Sequence, residues 1–349
     1  PPRSTLFPYT TLFRSMTQPK STNPVPVGLD DGYAYTKLVL PNGQMFAIPS
    51  RARLGKANVT WIDSAKQRIF EYETEAQIYA VGEVEGEPTE FDAYPFSGLN
   101  RAIVQHGLQQ AGLEGHSVHA VSGLPVGSFY LKDGSRREET LARKRASLKQ
   151  LVQPLDGCLP AGIAFHEVIP EALAAWYDYV ITESDEGVLL EPERLQAPLA
   201  VVDIGGRTTD YVVVADQAVV HASSGSLRCG LLDVKRDVSE GIRARFDLEV
   251  VSERTVGESI QSGTVRLFGK NHDVKDLVQR AQRQMVERLH SETQRQLGRG
   301  AELERILFVG GGTIALATHI RDWFPNQVIA EHPAFANARG MLKYLRYVC

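Results

Sequence analysis

The sequence predicts an α/β protein of two domains, and three observations support this fold class. The chain has 349 residues, and at about 100–200 residues per domain this length favours two domains with buried cores. A strand, an aspartate, a glycine turn and a return strand occur twice, with Asp30 and Asp203 in equivalent places 173 residues apart. Helical patterns alternate with strands in both halves of the chain. The repeated hairpin indicates two domains of similar build.

The composition is that of an ordinary globular protein, with 43% apolar and 23% charged residues. The formal net charge is −4, which argues against direct DNA binding through the protein's own surface charge. No stretch approaches the ~18 apolar residues of a membrane-spanning helix, so no membrane partner is expected. The three cysteines are far apart and show no CxxC pairing. This pattern argues against a disulfide framework or a zinc site and favours a cytoplasmic protein.

The first fifteen residues differ from the rest of the chain. Thr-Leu-Phe occurs at 5–7 and again at 11–13, and Met16 follows. The segment lacks the basic start, apolar centre and small-residue cleavage site of a signal peptide. We interpret residues 1–15 as non-native sequence before a start at Met16, and we expect residues 1–24 to form a disordered or non-native tail.

The first half of the chain is predicted to begin with a β-meander. Strands at 25–29 and 36–40 flank an Asp-Asp-Gly turn, and Asn42-Gly43 is a strong hairpin signal. An acidic segment at 83–92 is typical of a surface loop. The other elements predicted here are helices at 99–111, 136–150 and 171–180, and a strand at 117–122.

Two of these helices carry charged residues that admit more than one interpretation. The helix at 136–150 is rich in arginine and lysine, which fits a solvated face or a contact with an acidic partner or nucleic acid. The helix at 171–180 follows Pro170, a residue favoured at helix starts. Glu171 would then be a first-turn glutamate stabilised by the helix dipole, unless it has a role in chemistry.

The second half repeats the opening device after an irregular segment at 183–198, which we interpret as the crossing between domains. Gly205-Gly206 forms the turn between its two strands. The elements predicted in this half are strands at 199–204, 209–214 and 305–309, and helices at 231–246, 274–297, 313–323 and 335–347.

The two hairpin tips are candidate phosphate-binding sites. In a tight turn, consecutive backbone N–H groups point into a concavity, and glycine lets the backbone approach an anion closely. A polyphosphate clamped between two such tips is one interpretation; for a single hairpin, an ordinary Asx-type turn is the alternative. The candidate tip residues are Asp30, Gly32, Tyr33, Ala34 and Lys37 in the first half, and Gly205, Gly206, Arg207, Thr208 and Thr209 in the second.

Three further residue types complete the candidate site. Asp30 and Asp203 can hold the waters of a hard cation such as Mg²⁺, and Lys37 supplies a point charge for a phosphate oxygen. Gly310, Gly311 and Gly312 follow an apolar strand and precede a helix, so the chain can lie close to a nucleotide there. No Gly-x-Gly-x-x-Gly and no Gly-x4-Gly-Lys-Ser/Thr motif occurs, which excludes the usual Rossmann and P-loop interpretations.

These motifs resemble, in order and spacing, the phosphate-1, phosphate-2 and adenosine motifs of the actin, sugar kinase and Hsp70 superfamily. Within it the chain is most similar to the ParM/StbA family of plasmid-segregation actins. The resemblance covers nearly everything after Val25. It rests on Asp30-Asp31-Gly32 with Lys37, on 203–210, on Phe308–Gly312, on Leu124-Pro125, on Arg143-Lys144 and on Val168-Ile169-Pro170-Glu171.

The resemblance implies an actin-like (ribonuclease H-like) two-domain fold with Mg-ATP in the cleft between the domains. Domain I would comprise residues 25–182 plus 333–349, and domain II residues 183–332. Glu171 occupies the position at which the family orients the attacking water, and Asp203 the position that assists metal and water. One departure is that Tyr33-Ala34-Tyr35 replaces the small hydroxyl residues common after the first turn.

By resemblance we expect an ATPase that polymerises with ATP and segregates a plasmid. The filament would be captured by a small DNA-binding adaptor on a centromere-like site, so DNA contact would be indirect. Two alternatives stay open: a monomeric phosphotransferase similar to a sugar kinase, and a module that binds ATP structurally and recruits other components.

Overall fold

The computed structural model describes residues 23–63, 68–184 and 187–349. The predicted non-native segment at 1–15 lies outside the described residues, as does the predicted tail at 1–24 apart from its last two residues. The described part forms two lobes, each built on one five-stranded path of β-strands with helices on its faces.

The strands are short and fall into two larger and three smaller sheets. They are β1 (Val25–Asp31), β2 (Tyr35–Val39), β3 (Met45–Pro49), β4 (Ala52–Leu54), β5 (Ile69–Thr74), β6 (Gln77–Gly82), β7 (Ser117–Leu124), β8 (Gln153–Pro154), β9 (Gly162–Pro170), β10 (Ile181–Ser184), β11 (Gly187–Leu190), β12 (Leu199–Ile204), β13 (Thr209–Ala215), β14 (Ala218–Val219), β15 (Gly225–Leu227), β16 (Thr264–Leu267), β17 (Lys270–Asp273), β18 (Arg305–Val309) and β19 (Gln327–Ile329).

The helices lie between and after these strands. They are α1 (Gly98–Gln110), α2 (Val126–Phe129), α3 (Glu138–Leu148), α4 (Leu173–Val180), α5 (Pro192–Gln196), α6 (Leu231–Phe246), α7 (Glu253–Ser262), α8 (Lys275–Leu297), α9 (Gly311–Ala315) and α10 (Ala336–Tyr347). None of the helices in the described ranges is long and apolar enough to cross a membrane.

The two main sheets share one topology. In the first lobe the strand order is β3-β2-β1-β7-β9, with β1 antiparallel to β2 and parallel to β7. In the second lobe the order is β14-β13-β12-β18-β19, with β12 antiparallel to β13 and parallel to β18. The repeat predicted from the two hairpins is therefore a repeat of whole sheets. This arrangement agrees with the predicted α/β class of two domains of similar build.

Alternating residues of β12 separate the two faces of the second sheet. Ala200, Val202 and Ile204 pack in a core with α6, α7 and α8. Leu199 and Val201 pack on the other face, in a core that includes α4. The second sheet is thus covered on both faces, as expected for strands that are apolar throughout.

The last helix, α10, packs on β1, β7 and α4. Its contacts are close because glycines face it: a Cβ on Gly28 would collide with the carbonyl oxygen of Ala338, and a Cβ on Gly340 with that of Ala174. Helices α4 and α10 thereby form a rigid pair beneath the first sheet. The domain boundaries given above stay a prediction.

Several predicted boundaries were wrong. Asp30 and Asp31 are the last residues of β1 rather than a turn. The helix predicted from residue 171 begins at Leu173, and Pro170 ends β9 instead of starting a helix. The helix predicted at 313–323 ends at Ala315. In each case a glycine or proline signal marked the correct junction, but tertiary pairing decided which element it belonged to.

Other elements had no prediction. The described residues of the crossing segment at 183–198 include the end of β10, strand β11 and helix α5. Helix α7 and the hairpin of β16 and β17 fill the interval between the two long helices of the second lobe. The charged helix α3 lies within its predicted range and buries Lys144 completely, so its basic residues are not all on a solvated face.

Candidate functional site

Both hairpin tips open into one cleft of about 710 Å³ between the lobes. With the exception of Thr209, every residue predicted for the site lines this cleft. Those residues are Asp30, Gly32, Tyr33, Ala34, Lys37, Glu171, Asp203, Gly205, Gly206, Arg207, Thr208, Gly310, Gly311 and Gly312. Segments separated by up to 282 positions in the sequence therefore meet at one place.

The two tips touch each other. A Cβ built on Gly206 would lie 2.6 Å from the Cβ of Ala34, so only glycine allows this approach. Beside this contact the Arg207 guanidinium lies over the Tyr33 ring, 4.9 Å from its centroid, within the range of a cation–π interaction. The tips thus face one another across the cleft rather than pointing apart.

The first tip is anchored by hydroxyl groups of its own lobe. The Ser50 hydroxyl donates to the carbonyl oxygen of Gly32 at 2.6 Å, and the Thr89 hydroxyl donates to that of Tyr33 at 2.7 Å. These bonds occupy the carbonyl groups of the turn and fix its backbone. The turn needs no hydroxyl of its own to hold its shape.

The second tip is anchored by the start of α6. The backbone N–H of Leu232 donates to the Gly206 carbonyl at 2.8 Å, and that of Leu231 donates to the Gly205 carbonyl at 3.2 Å. Thr209 is the exception among the predicted residues: its hydroxyl donates to the carbonyl of Cys229 at 2.9 Å in the interior. Thr209 therefore stabilises the hairpin and does not face the cleft.

The floor of the cleft concentrates buried carboxylates. Asp30 and Asp203 are each 5% exposed, and Asp210 is 1% exposed. Glu171 joins them, because the charges of Asp210, Asp30 and Asp203 all act on it. Lys37 is the cation of this floor, and its ammonium group bonds the Asp30 carboxylate at 2.7 Å. The floor therefore carries more negative than positive charge.

This imbalance changes the pKa values of the carboxyl groups. Burial, followed by repulsion from Asp30 and Asp210, raises the pKa of Asp203 to about 7. Burial raises the pKa of Asp210 to about 6, although hydrogen bonds from Ser226 and Val126 oppose the shift. Burial and the neighbouring carboxylates raise the pKa of Glu171 well above its ordinary value. Groups with such shifts in a cleft are typical of functional sites.

Glu171 sits at a strained turn. Its carbonyl accepts a hydrogen bond from the N–H of Leu173 at 2.7 Å, and the residue between them, Ala172, has φ 61° and ψ −42°. This is a γ-turn of the rare, strained hand. A non-glycine residue held at positive φ is typical of a site where the surrounding structure fixes one geometry. Because of this turn, Glu171 lies before the first residue of α4 and outside the helix.

Asn337 was missed by sequence reasoning. Its amide nitrogen donates to an Asp203 oxygen at 2.6 Å, and its amide oxygen accepts from the N–H of Ala172 at 3.1 Å. One side chain of α10 therefore ties the strained turn beside Glu171 to the aspartate of the second lobe. No local signal marks this residue, because its partners lie 134 and 165 positions away.

Asp210 also links the lobes. One of its oxygens accepts the backbone N–H of Val126, at the start of α2 in the first lobe, at 2.7 Å. Its other oxygen accepts the Thr208 hydroxyl at 3.0 Å. The sequence placed Asp210 in a motif, but its contact with the first lobe comes only from the fold.

Gly310 closes the site from the third motif. It has φ 88°, and a Cβ on it would collide with the Asp203 carboxylate and the Ile204 carbonyl. A Cβ on Gly312 would collide with Ile204 as well. Glycine is thus required because β18 approaches the second tip closely.

Ion pairs between the lobes line the mouth of the cleft. The Arg207 guanidinium bonds Asp92 at 2.7 Å, and Arg51 bonds Glu253 at 3.0 Å. Arg207 therefore pairs with a carboxylate of the predicted acidic loop. Within the described ranges, no group of three or more His, Cys, Asp or Glu side chains has the geometry of a metal site.

Comparisons with known proteins define the class of the protein. The family model of the plasmid segregation protein ParM, N-terminal, matches residues 27–181. The model of the archaeal actin homologue MreB-like, C-terminal, matches residues 201–322. A search of curated proteins finds no significant match.

Solved structures show the same fold. A crystal structure of an archaeal actin homolog has 20% identity and a TM-score of 0.72, covering 92% of this chain and 99% of that one. A 15-stranded ParM filament from Clostridium botulinum has 19% identity and a TM-score of 0.72, covering 93% and 99%. Bacillus thuringiensis ParM with AMPPNP has 17% identity and a TM-score of 0.63, covering 93% and 100%.

The solved structures confirm the predicted actin-like fold, so this is an actin-like protein. Within that class, residues 27–181 are similar to the ParM family and residues 201–322 to the MreB-like family. Neighbouring structures of this fold were solved with ADP or AMPPNP.

Proposed function

We propose that this protein binds Mg-ATP in the cleft, hydrolyses it, and assembles into filaments whose turnover segregates plasmid DNA through a DNA-bound adaptor. The observation that carries the proposal is the contact between the two hairpin tips above a floor of buried carboxylates and one lysine. The match to a plasmid segregation family and the similarity to a ParM filament support the filament and its use.

Nucleotide binding would use the backbone of both tips. The carbonyl groups of Gly32 and Gly206 are occupied by Ser50 and by the start of α6, which leaves the role of binding an anion to the N–H groups of the turns. Burial lowers the pKa of Lys37, but the charge and hydrogen bond of Asp30 together with the charges of Asp203 and Glu171 raise it by more. Lys37 therefore keeps its charge for a phosphate oxygen.

The donor set fits a magnesium ion held through water and phosphate. Asp30 is already bonded to Lys37, and Asp203 to Asn337, so neither offers a free carboxylate cage. Mg²⁺ usually keeps several waters and binds through few carboxylates and the phosphates of its substrate. The ion supplies positive charge that neutralises the phosphates and the carboxylates around them.

Glu171 would orient and polarise the attacking water. The raised pKa of Glu171 favours its protonated form, which cannot accept a proton. A cation beside Asp30, Asp203 and Asp210 would offset their repulsion and lower the pKa of Glu171, so that its carboxylate oxygen could accept a hydrogen bond from water. The water oxygen would then bond to the γ-phosphorus while the bond from that phosphorus to the bridging oxygen breaks. ADP would leave with the electrons of that bond, and one proton of the water would pass to Glu171 and from there to solvent. Positioning and charge neutralisation account for most catalysis of this reaction class.

The substitution Glu171→Gln tests the enzymatic part. We expect ATP binding to be kept, hydrolysis to fall by about 100-fold or more, and filaments to persist in light scattering. Glu167→Gln is the matched control, because Glu167 lies four residues earlier on β9 and pairs with Arg145 outside the cleft. Wild-type protein that neither turns over ATP nor scatters light after its addition would contradict the proposal. Turnover that requires an added acceptor would favour a phosphotransferase.

A further inference from the structure

An exposed apolar strand lies at the end of α4. Strand β11 pairs with β10 as an isolated hairpin, and its Val188, Leu189 and Leu190 are 47%, 55% and 52% exposed. Consecutive large apolar residues on a two-stranded hairpin are not explained by stability, because such a hairpin gains little from them in water. We call this element the base hairpin.

A second exposed hairpin, β16 with β17, carries a single large apolar residue at its tip. Phe268 is 80% exposed and has φ 49°, and Gly269 after it has φ 75°. A two-residue turn with both φ values positive favours Asn, Asp or Gly, so phenylalanine is unfavourable here both for its backbone and for its exposure. We call this element the tip hairpin.

The two hairpins lie on opposite sides of the second sheet. The base hairpin continues from α4, and Ile181 of β10 belongs to the core on the α4 face. The tip hairpin packs with α7 and α8, and Val265 belongs to the core on the other face. One copy therefore presents the two hairpins on different faces, so a contact between them would join two different surfaces of the protein.

The hairpins also have opposite charge. Among the described residues of 181–194, three glutamates stand against one arginine, and Glu183 pairs with Arg346 of α10. Residues 264–275 contain two lysines, one arginine and one aspartate. Glu193 beside the base hairpin and Arg266 and Lys270 in the tip hairpin are exposed. Complementary charge around apolar centres favours contact between the two elements and disfavours contact of either with itself.

We propose that the base hairpin of one copy docks on the tip hairpin of the next copy, with Phe268 packed against Val188, Leu189 and Leu190. A contact between two different surfaces that does not close on itself generates an open filament. This inference rests on the proposed function, since it names the surfaces through which the filament would assemble.

Assembly of the full chain with Mg-ATP, measured by pelleting over a range of concentrations, tests the contact. We expect Leu189→Glu and Phe268→Asn each to raise the critical concentration about tenfold or more, equivalent to about 1.4 kcal/mol. Phe268→Asn should also raise the thermal stability of the monomer, because asparagine is favoured at positive φ. Leu151→Glu is the matched control: Leu151 is 70% exposed on the first lobe, and its variant should assemble normally.

Cross-linking separates this inference from the proposed function. The exposed Cys158 and Cys349 are first replaced by serine. Glu193→Cys protein, which keeps the apolar residues of the base hairpin, is then mixed with Arg266→Cys protein, which keeps Phe268, and the mixture is treated with a short bismaleimide. We expect a cross-linked dimer in the mixture and none with either protein alone. Such a dimer from protein that fails to pellet would support the contact and contradict the filament. Normal pelleting of Leu189→Glu and Phe268→Asn, or the absence of a cross-linked dimer from the mixture of cysteine variants, would overturn the contact.

Discussion

The two hairpins have the same strand register but differ in the charge of the residue opposite the aspartate. In the first lobe, Asp30 pairs in register with Lys37 across the hairpin. In the second, the equivalent Asp203 pairs in register with Asp210. The residue opposite the aspartate is a lysine in the first hairpin and an aspartate in the second. The first pair of side chains is therefore neutral, whereas the second pair consists of two facing carboxylates.

The difference shows how the second tip depends on the rest of the molecule. Its carboxylates are bonded by Asn337 of α10 and by the N–H of Val126, both of which come from elements outside the second sheet. These hydrogen bonds do not cancel the repulsion between the carboxylates, because burial, Asp30 and Asp210 still raise the pKa of Asp203 to about 7. We expect the first tip to be preformed and the second to respond to cation and phosphate.

The largest expected effect on stability comes from removing Lys37, the positive charge of the neutral first tip. Lys37→Met removes the cation of the floor and leaves Asp30 buried without a partner, which should cost about 3–5 kcal/mol of stability. Nucleotide affinity should be lost as well. Urea unfolding and nucleotide titration measure the two effects.

Lys144→Met serves as the control for Lys37→Met. Lys144 is fully buried and paired with Asp31, away from the cleft lining. This variant should lose similar stability but keep the affinity of its folded fraction. Equal loss of affinity in both variants would contradict a specific role for Lys37.

The charged tip should make stability depend on pH. Because the folded pKa of Asp203 is about 7 and its ordinary value is 3.8, the folded state binds more protons between these values. The stabilisation that Asp203 contributes to the folded state is present below about pH 4 and is lost as pH rises through about 7. The free energy of unfolding then changes by at most about 1.4 kcal/mol per pH unit. Asp203→Asn keeps an oxygen that accepts the hydrogen bond from Asn337, but its side chain does not titrate. Urea unfolding without nucleotide or metal should show a flatter pH slope for this variant, and an unchanged slope would contradict the assignment.

A smaller effect should follow from forcing the tips apart. In Gly206→Ala the new Cβ meets the Ala34 Cβ at 2.6 Å, an overlap that typically costs about 1–3 kcal/mol. Nucleotide affinity should fall about tenfold, by isothermal calorimetry. Gly225→Ala is the control, since nothing lies within 4 Å of its added Cβ. Full affinity in Gly206→Ala would mean that the tips need not touch.

The smallest expected effect on stability concerns the turn at Glu171. Ala172→Gly relieves the positive φ but loses a buried methyl group, so stability should change by less than about 1 kcal/mol. Hydrolysis should slow several-fold, because Glu171 is held less firmly. Ala175→Gly, in the regular part of α4, should instead destabilise by about 1 kcal/mol or more with no selective effect on turnover. Destabilisation of both variants without loss of turnover would contradict a positioning role for the turn.

The sequence predicted the parts of the fold that have local signals. Strands β12 and β18 and helix α6 have the bounds given by their apolar patterns and flanking glycines. Each tip could be located because glycine beside aspartate marks a turn. That the two tips face each other was predicted from the repeated hairpin and the family resemblance, and not from any single motif.

The rest could not be predicted because its causes are long-range. The γ-turn at Ala172 has no sequence signature, and Pro170 before it is equally typical of a helix start. Asn337 acts through partners on other elements, and Thr209 turns inward because Cys229 lies beside it. Helix α7 has ten residues, of which Val256 and Ser259 are buried, so its apolar pattern is short for a prediction.

A structure of the protein with Mg²⁺ and a non-hydrolysable ATP analogue tests the central claim most directly. We predict oxygens of the β- and γ-phosphates at about 3 Å from backbone N–H groups of both tips, at 32–34 and at 205–208. Phosphates bound by one tip alone, or a nucleotide outside the cleft, would contradict the account.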